Sequence, residues 1–442
     1  MNLITAPLAN PLRGEFVPPG DKSISHRALI LASLACGESA IDGLLEAEDV
    51  KATANACRQL GAEICTDGAN TRVRGTGDKG LKAPGQVLDM GNSGTAMRLL
   101  AGVLAAQGFN SELTGDDSLR RRPMRRIVEP LSRMGATIET TAAGTAPLRI
   151  RGNPALQGID YHLPVASAQI KSCLLLSGLF ASGSTCVSEP QKSRDHTERM
   201  LPLFGVPLQP PCCVQGGSHL TAAHVQVPAD VSSAAFFLVA AAMVPGSDLL
   251  LRDVGINASR DGIIRVMQAM GADLDIHERR MFGEEPVANI RVRYAPGIRG
   301  IDIPESWVPS LIDELPAIMV LAAVSSGITR IRGAAELRVK ESDRLAVMAQ
   351  GLETLGVRAK ELDDGIDIVG GPVQGGEVDG AGDHRCAMSF CILGQVARSP
   401  LAVHGASHVN TSYPTFPDHL LAVGGNLRVQ SVVTPAAHAD GR

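Results

Sequence analysis

Ile127-Val128-Glu129-Pro130-Leu131-Ser132-Arg133-Met134-Gly135-Ala136 is a stretch with apolar residues at spacings of four and three that ends on a glycine. Such spacing puts Ile127, Leu131 and Met134 on one face of a helix. Gly135 then supplies the left-handed residue that lets a chain leave a helix and enter a strand. The same signature recurs along the chain at Leu60-Gly61-Ala62, Phe204-Gly205-Val206, Met270-Gly271-Ala272, Leu355-Gly356-Val357 and Val423-Gly424-Gly425. Leu345, Met348, Leu352 and Leu355 repeat the helical spacing before one of them. Successive glycines lie between 66 residues (Gly205 to Gly271) and 85 residues (Gly271 to Gly356) apart. Solenoid units run to about 20–50 residues, so each copy holds several elements. Leu148-Arg149-Ile150-Arg151 alternates apolar and charged residues, as a half-buried strand does. The spacing therefore predicts six copies of a mixed α/β unit.

Six copies divide into two halves of three, with a boundary near Val227-Pro228-Ala229-Asp230-Val231, between the third and fourth. Val17-Pro18-Pro19-Gly20 reads as a second crossing. The repeat by itself does not decide to which half the first twenty residues belong.

At 442 residues the chain is long enough for two large domains or three ordinary ones. Hydrophobic residues at 44% and charged residues at 20% exclude a disordered or tail-dominated protein. Aromatics at 3%, with Trp307 the single Trp, leave few stacking platforms for nucleic acid. A net charge of −5 sets up no general attraction for polyanions, so any anion site is local. The nine cysteines show no C-x-x-C spacing and read as reduced thiols of a cytoplasmic protein. The N-terminus lacks a secretory signal, and the longest apolar run, 234–244, falls short of the roughly 20 residues needed to span a bilayer.

Four segments of the first half carry chemistry. In Pro19-Gly20-Asp21-Lys22-Ser23-Ile24-Ser25-His26-Arg27, a helix start places Lys22, Ser23 and Arg27 beside free backbone N–H groups, which suits an anion. It is not a Walker A loop, because Asp21 precedes the lysine and the upstream glycine is misplaced. Gly91-Asn92-Ser93-Gly94-Thr95 makes a second such start, where Gly94 permits close approach of the backbone. Arg120-Arg121-Arg122-Pro123-Met124-Arg125-Arg126 precedes an amphipathic helix and reads either as a solvated helix start or as an arginine aimed into an anion site; without interleaved aromatics it does not read as a nucleic-acid patch. Val165-Ala166-Ser167-Ala168-Gln169 offers short polar donors, with Ser193-Arg194-Asp195-His196 one strand later.

In the second half Ile312-Asp313-Glu314-Leu315-Pro316 and Leu337-Arg338-Val339-Lys340-Glu341-Ser342-Asp343-Arg344 open apolar helices, and Asp383-His384-Arg385 adds another arginine. Each acid taken singly serves as well as a helix cap. Together they offer carboxylate and ammonium groups to move protons and arginines to hold carboxylate or phosphate. Two other matches fail: Gly75-Thr76-Gly77-Asp78-Lys79-Gly80 is followed by Pro84 and Gly85 where a dinucleotide fold needs a helix, and His277-Glu278 lacks a second histidine. No metal and no cofactor is expected.

In order and spacing, PGDKSISHR, GNSGTAMR, LTGDDSLRRRPM, VASAQIKS, SRDHTERML, IDELP, LRVKESDR and DHRCAMSF resemble the motifs of the 5-enolpyruvylshikimate-3-phosphate synthase (3-phosphoshikimate 1-carboxyvinyltransferase) family over nearly the whole chain. The resemblance implies an inverted α/β barrel fold of two similar domains, each of three βαβαββ units, with a ligand cleft between them. Residues 1–20 plus 230–442 would carry Asp313, Lys340, Glu341, Arg344 and Arg385; residues 21–229 would carry Lys22, Arg27, Gly94, Arg122, Ser167 and Gln169. It implies that the 5-hydroxyl of shikimate 3-phosphate attacks C2 of phosphoenolpyruvate, giving a tetrahedral intermediate that loses phosphate. By motif position Lys22, Ser23, Arg27, Ser167, Gln169, Asp313 and Lys340, with Ser193 and Arg194, would contact shikimate 3-phosphate. Lys22, Gly94, Arg122, Gln169, Arg344 and Arg385 would contact phosphoenolpyruvate. Asp313 would handle the hydroxyl proton, with Glu341 and Lys22 serving the methylene carbon and the leaving phosphate.

The resemblance further implies glyphosate as an inhibitor and a cytoplasmic monomer with no nucleic-acid or membrane partner. Two departures stand out. Val409-Asn410-Thr411-Ser412-Tyr413-Pro414 holds no lysine where many relatives have one, and Ala168 stands where some have a second serine. The nearest alternative, an enolpyruvyl transferase acting on UDP-N-acetylglucosamine, typically uses an active-site cysteine loop that is not found here. A catalytically silent anion- or RNA-binding protein on the same scaffold would leave Asp313, Lys340 and Glu341 without a use.

Overall fold

The structure is a computed structural model that describes residues 1–68 and 70–430. The polar tail after Gln430 lies outside the described residues. Helices are α1 (Lys22–Leu34), α2 (Glu48–Gln59), α3 (Gly94–Ala105), α4 (Arg125–Arg133), α5 (Ala168–Gly178), α6 (His196–Leu203), α7 (Val231–Met243), α8 (Gly262–Met270), α9 (Leu315–Val324), α10 (Arg344–Thr354), α11 (His384–Leu393) and α12 (Phe416–Ala422). The even-numbered six are the helices that the glycine signature marks. Each is followed within two residues by its glycine, and all six glycines have φ between +79° and +107°. That region favours a residue without Cβ, and it swings the chain out of the helix.

Among the described residues six small sheets accompany the six junctions, and the strand after each glycine falls in a different one. Those strands are Glu63–Asp67, Thr137–Glu139, Cys213–Gln215, Asp273–Phe282, Arg358–Leu362 and Leu427–Gln430. Leu148–Arg151 has the expected alternation, with Leu148 and Ile150 buried and the arginines exposed. Gly75–Gly80 forms a short 3-10 turn at Gly77–Lys79, not a phosphate loop.

The odd-numbered helices differ in kind. α7 is buried at all thirteen positions, and α1, α3, α5, α9 and α11 nearly so. A helix apolar all round is stable only inside a core, and two cores enclose them. One is built from side chains between Ile24 and Val227, the other from Leu3, Leu12 and side chains between Val231 and Leu427. The N-terminal strands join the second group: Asn2–Thr5 pairs with Leu401–Val403 and with Leu427–Gln430, and Arg13–Phe16 pairs with Asp248–Leu251. The chain passes between the cores twice, side by side. Asp21 N donates to Pro228 O, and Asp230 N donates to Pro19 O, both at 2.8 Å.

The expectation of reduced thiols fails at one pair. Cys186 and Cys213 form a disulfide, because the antiparallel register of Ser184–Cys186 with Cys213–Gln215 sets them directly opposite, Cα atoms 4.0 Å apart. A separation of 27 residues with no motif hides this in the sequence. Among the described residues no helix is long and apolar enough to cross a membrane.

Close helix approach fixes where the helix starts lie. A Cβ on Gly102 of α3 would come within 2.3 Å of the Cys173 carbonyl oxygen in α5, so these two helices touch backbone to side-chain position. Gly102→Ala should therefore lose about 1–3 kcal/mol by overpacking, despite alanine's better helix propensity. A lowered urea midpoint checks this; an unchanged or raised one would show that the helices separate freely.

Candidate functional site

The six buried helices begin in one place. α1, α3, α5, α7 and α11 are capped by Asp21, Ser93, Ser167, Asp230 and Asp383, each side chain accepting from a first-turn N–H, and Glu314 precedes α9. Hydrogen bonds tie the starts together. Gln169 Nε2 donates to Thr95 Oγ1 at 2.9 Å, and Ser93 Oγ lies 3.3 Å from His26 Nε2. Arg260 joins three starts across the two cores, with Asp21 at 2.9 Å, Asp230 at 3.1 Å and Glu314 at 3.6 Å. Helix starts carry free N–H groups and partial positive charge, so their meeting point favours anions.

Between the cores lies a cavity of about 600 Å³ lined by Ser167, Gln169, Ser193, Arg194, Asp313 and Lys340 among others. Residues of both halves face it. Arg194 pairs with Asp313 Oδ2 from the opposite core. Lys340 Nζ and Arg344 Nη1 reach Asp313 Oδ1 at 3.2 and 3.3 Å. Arg385 donates to the Asp313 carbonyl at 3.1 Å. Burial alone would raise the Asp313 carboxyl, but Lys340, Arg194, Arg385 and Arg344 together hold it well below the ordinary aspartate range.

Behind Asp313 the remaining charges close on one another. Arg344 is 1% exposed and bonds three carboxylates: Asp383 at 2.7 Å, Glu341 at 2.6 Å and Asp313. Arg122 donates to Asn92 at 2.7 Å and lies 3.4 Å from Glu341. Glu341 is thus held ionised: burial would raise its carboxyl, but Arg344 and Arg122 pull it well below the usual value. Lys22 pairs with the buried Asp49. Gly94 sits where a Cβ would press on Arg98 Nη1 at 2.8 Å and on Arg122 Nη1 at 3.3 Å. Two groups of cations thus adjoin, one opening on the cavity and one closed upon its own carboxylates. Such a site can seat two anionic ligands side by side, with ionised carboxylates between them.

The expected residues divide accordingly. Ser167, Gln169, Ser193, Arg194, Asp313 and Lys340 line the cavity, while Arg122, Glu341 and Arg344 meet in the closed cluster, with Lys22 and Arg385 beside it. Ser23 adjoins through its hydroxyl, 3.5 Å from Arg194. Arg27 is buried and spends three donors on Ser23 O, Ser172 and Thr197, so it stands behind the cavity wall. Lys340 and Glu341 lie in the turn before α10 and not on the helix, which starts at Arg344 with Asp343 as its cap. Of the five arginines at 120–126, Arg120, Arg121 and Arg125 are exposed, Arg122 turns inward, and Arg126 pairs with Glu336 across the rim at 2.8 Å.

Sequence reading missed several partners. Asp49 reads as a first-turn acid of α2, and Arg98, which positions the Gln169 amide at 2.6 Å, reads as a helix-surface residue. Arg260 carries no motif at all. His384 was visible inside Asp383-His384-Arg385, yet only the fold shows both its ring nitrogens buried without a hydrogen-bond partner among the described residues.

Known proteins resemble this chain over nearly its whole length. A family model described as EPSP synthase (3-phosphoshikimate 1-carboxyvinyltransferase) matches residues 8–420. The 3-phosphoshikimate 1-carboxyvinyltransferase of Methylococcus capsulatus is 53% identical over 432 residues, covering 97% of this chain and 98% of the relative. That of Nitrosococcus oceani is 52% identical over 434 residues, covering 97% of each. A solved structure of the EPSP synthase from Acinetobacter baumannii superposes with a TM-score of 0.87 at 45% identity, covering 97% of this chain and all of that one.

Burial, with Lys22 close by, pushes the His384 imidazole well below its usual value, and burial does the same to His26. Both rings are neutral in the folded state at pH values where the unfolded chain, near 6.5, takes up protons. Their contribution to stability is therefore present above about pH 6.5 and lost as pH falls below it. Neither ring should show the ordinary imidazole titration near pH 6.5 when followed by NMR, and unfolding stability should decline as pH falls below about 6.5. A His384 resonance titrating near 6.5 would contradict the burial argument.

Proposed function

Since the chain belongs to the EPSP synthase (3-phosphoshikimate 1-carboxyvinyltransferase) family, we propose that its cleft seats shikimate 3-phosphate in the open cavity and phosphoenolpyruvate against the closed cluster. The protein is a transferase of the shikimate pathway. It moves the enolpyruvyl group of phosphoenolpyruvate to the 5-hydroxyl of shikimate 3-phosphate and releases phosphate, by addition and elimination through a tetrahedral intermediate. The observation that carries the residue roles is the position of Asp313. It sits where the two cation groups meet, bridged by Arg194 from one core and by Lys340 and Arg344 from the other.

Shikimate 3-phosphate is held by Lys22, Ser23, Ser167, Gln169, Ser193, Arg194, Asp313 and Lys340, with Arg27 supporting Ser23 through its carbonyl. Phosphoenolpyruvate is held by Lys22, Gln169, Arg122, Arg344 and Arg385, with the Gly94 backbone close by. In the free cleft Asp313 and Glu341 are poor bases, because cations surround them. The phosphate and carboxylate groups of the substrates compete for those same cations. Binding therefore raises both carboxyls toward the range in which they exchange protons. Asp313 takes the 5-hydroxyl proton as oxygen attacks C2. Glu341, protonated in the complex, gives its proton to the methylene carbon and takes one back from the resulting methyl group on elimination. Lys22 gives a proton to the departing phosphate, which balances the one that Asp313 has taken. Convergent guanidinium groups and helix starts stabilise the charge that develops on oxygen.

The two cores act as domains, residues 21–229 and residues 1–20 plus 230–442, opening about the paired crossings at 19–21 and 228–230. One chain supplies both walls of the cleft, which favours a working monomer, and phosphorylated substrates that do not cross membranes place it in the cytoplasm. The test is phosphate release on mixing with both substrates and with each omitted. Release should require both. Lys22→Met and Asp313→Ala should each lose on the order of 10² or more in rate while remaining folded; a folded variant with full turnover removes that residue from the mechanism. Glyphosate should inhibit competitively with phosphoenolpyruvate, and Gly94→Ala, by displacing Arg122, should raise the KM for phosphoenolpyruvate. Indifference to a large excess of glyphosate would count against the inhibitor reading.

A further inference from the structure

Lys171 lies in α5, two residues beyond Gln169, inside a stretch from Ile170 to Gly178 that is buried at every position. An ammonium group there loses its water, at a cost of several kcal/mol unless carboxylates replace it. They do: Nζ is 2.8 Å from Glu189 Oε1 and 2.6 Å from Glu198 Oε1. Burial pulls the ammonium pKa down, yet Glu198 and Glu189 outweigh it and hold the group charged. Lys171 does not line the cavity. An apolar residue would fill the position with no charge to compensate, so the ion triad needs a use.

That use is visible in what the two carboxylates hold. Glu189 also accepts from Ser193, through the backbone N–H at 2.9 Å and through the hydroxyl at 2.5 Å. Glu198 lies in the first turn of α6, beside Thr197, which binds Arg27 at 2.8 Å and Ser172 at 2.7 Å. The segment from 189 to 198 is thereby fastened to α5 at both ends through one ammonium. Between the fastenings Ser193 and Arg194 face the cavity, and Arg194 reaches across to Asp313.

We propose that Lys171 is a positioning residue for the transferase reaction, clamping Glu189 and Glu198 so that Ser193 and Arg194 stay at the shikimate 3-phosphate side of the cleft. The proposal rests on the reading that Ser193 and Arg194 contact that substrate. Without the ammonium, Glu189 and Glu198 lose their shared cation, and the segment between them relaxes. Phosphoenolpyruvate, seated against Arg122, Arg344 and Arg385, is not served by this clamp.

The test compares Lys171→Met, Lys171→Arg, Glu189→Gln and Arg194→Met in steady-state kinetics, with unfolding midpoints recorded for each. Lys171→Met should raise the KM for shikimate 3-phosphate by about tenfold or more while the KM for phosphoenolpyruvate stays within about threefold. Lys171→Arg should recover most of the loss, because the charge returns. Should Lys171→Met fail to fold, Glu189→Gln decides, since its amide oxygen still accepts from the Ser193 N–H, its amide nitrogen can donate to the Ser193 hydroxyl, and one charge is removed; its KM for shikimate 3-phosphate should rise by about threefold or more. An unchanged KM for shikimate 3-phosphate in the folded variant, with Arg194→Met impaired, overturns the role of Lys171 alone. An unimpaired Arg194→Met removes the premise, and the proposal with it.

Discussion

Six buried helices begin at one place between two cores, and this convergence is the constraint on which the rest of the molecule depends. Each helix start brings unsatisfied N–H groups and partial positive charge. Aspartate and serine caps answer the first need. The second is increased by Arg122, Arg194, Lys340, Arg344 and Arg385, which crowd the same space. A chain with a net charge of −5 thus builds a local region that requires anions. Asp313, Glu341 and Asp383 supply them, and Arg344 binds all three.

The chemistry follows from replacing those anions. A carboxylate surrounded by cations is ionised and weakly basic, which suits a resting site and not a proton acceptor. In the proposed mechanism, substrates that carry phosphate and carboxylate groups displace the carboxylates from their partners and so raise their proton affinity. Proton-transfer capacity then arises only in the loaded cleft. Arg194 and Asp313, Arg122 and Glu341, and Arg126 and Glu336 pair across the two cores. Arg260 holds the crossings themselves, binding Asp21 and Asp230 on adjacent passes of the chain.

Much of this was legible in the sequence because it rests on local rules. The six glycines mark six helix ends through backbone conformation alone, and each helix ends where its glycine indicates. Lys22, Ser167 and Arg385 stand at helix starts that short motifs announce. What stayed hidden depends on pairing across distance. The first twenty residues join the second half through strand partners near 248 and 401, which the repeat does not specify. Cys186 and Cys213 meet only by register. Among five neighbouring arginines, nothing local distinguishes Arg122, which turns inward, from the exposed Arg121. Lys171 reads as a stray charge in an apolar helix until Glu189 and Glu198 are seen beside it.

The most direct measurement is the titration of the Asp313 carboxyl carbon by NMR, in the free protein and with shikimate 3-phosphate bound. In the free protein the carboxyl should stay ionised down to the acid limit of the folded state. With the substrate bound its pKa should move upward as Lys340 and Arg194 turn to the ligand. A carboxyl whose titration is unchanged or lowered on binding would contradict the exchange of anions on which the mechanism rests.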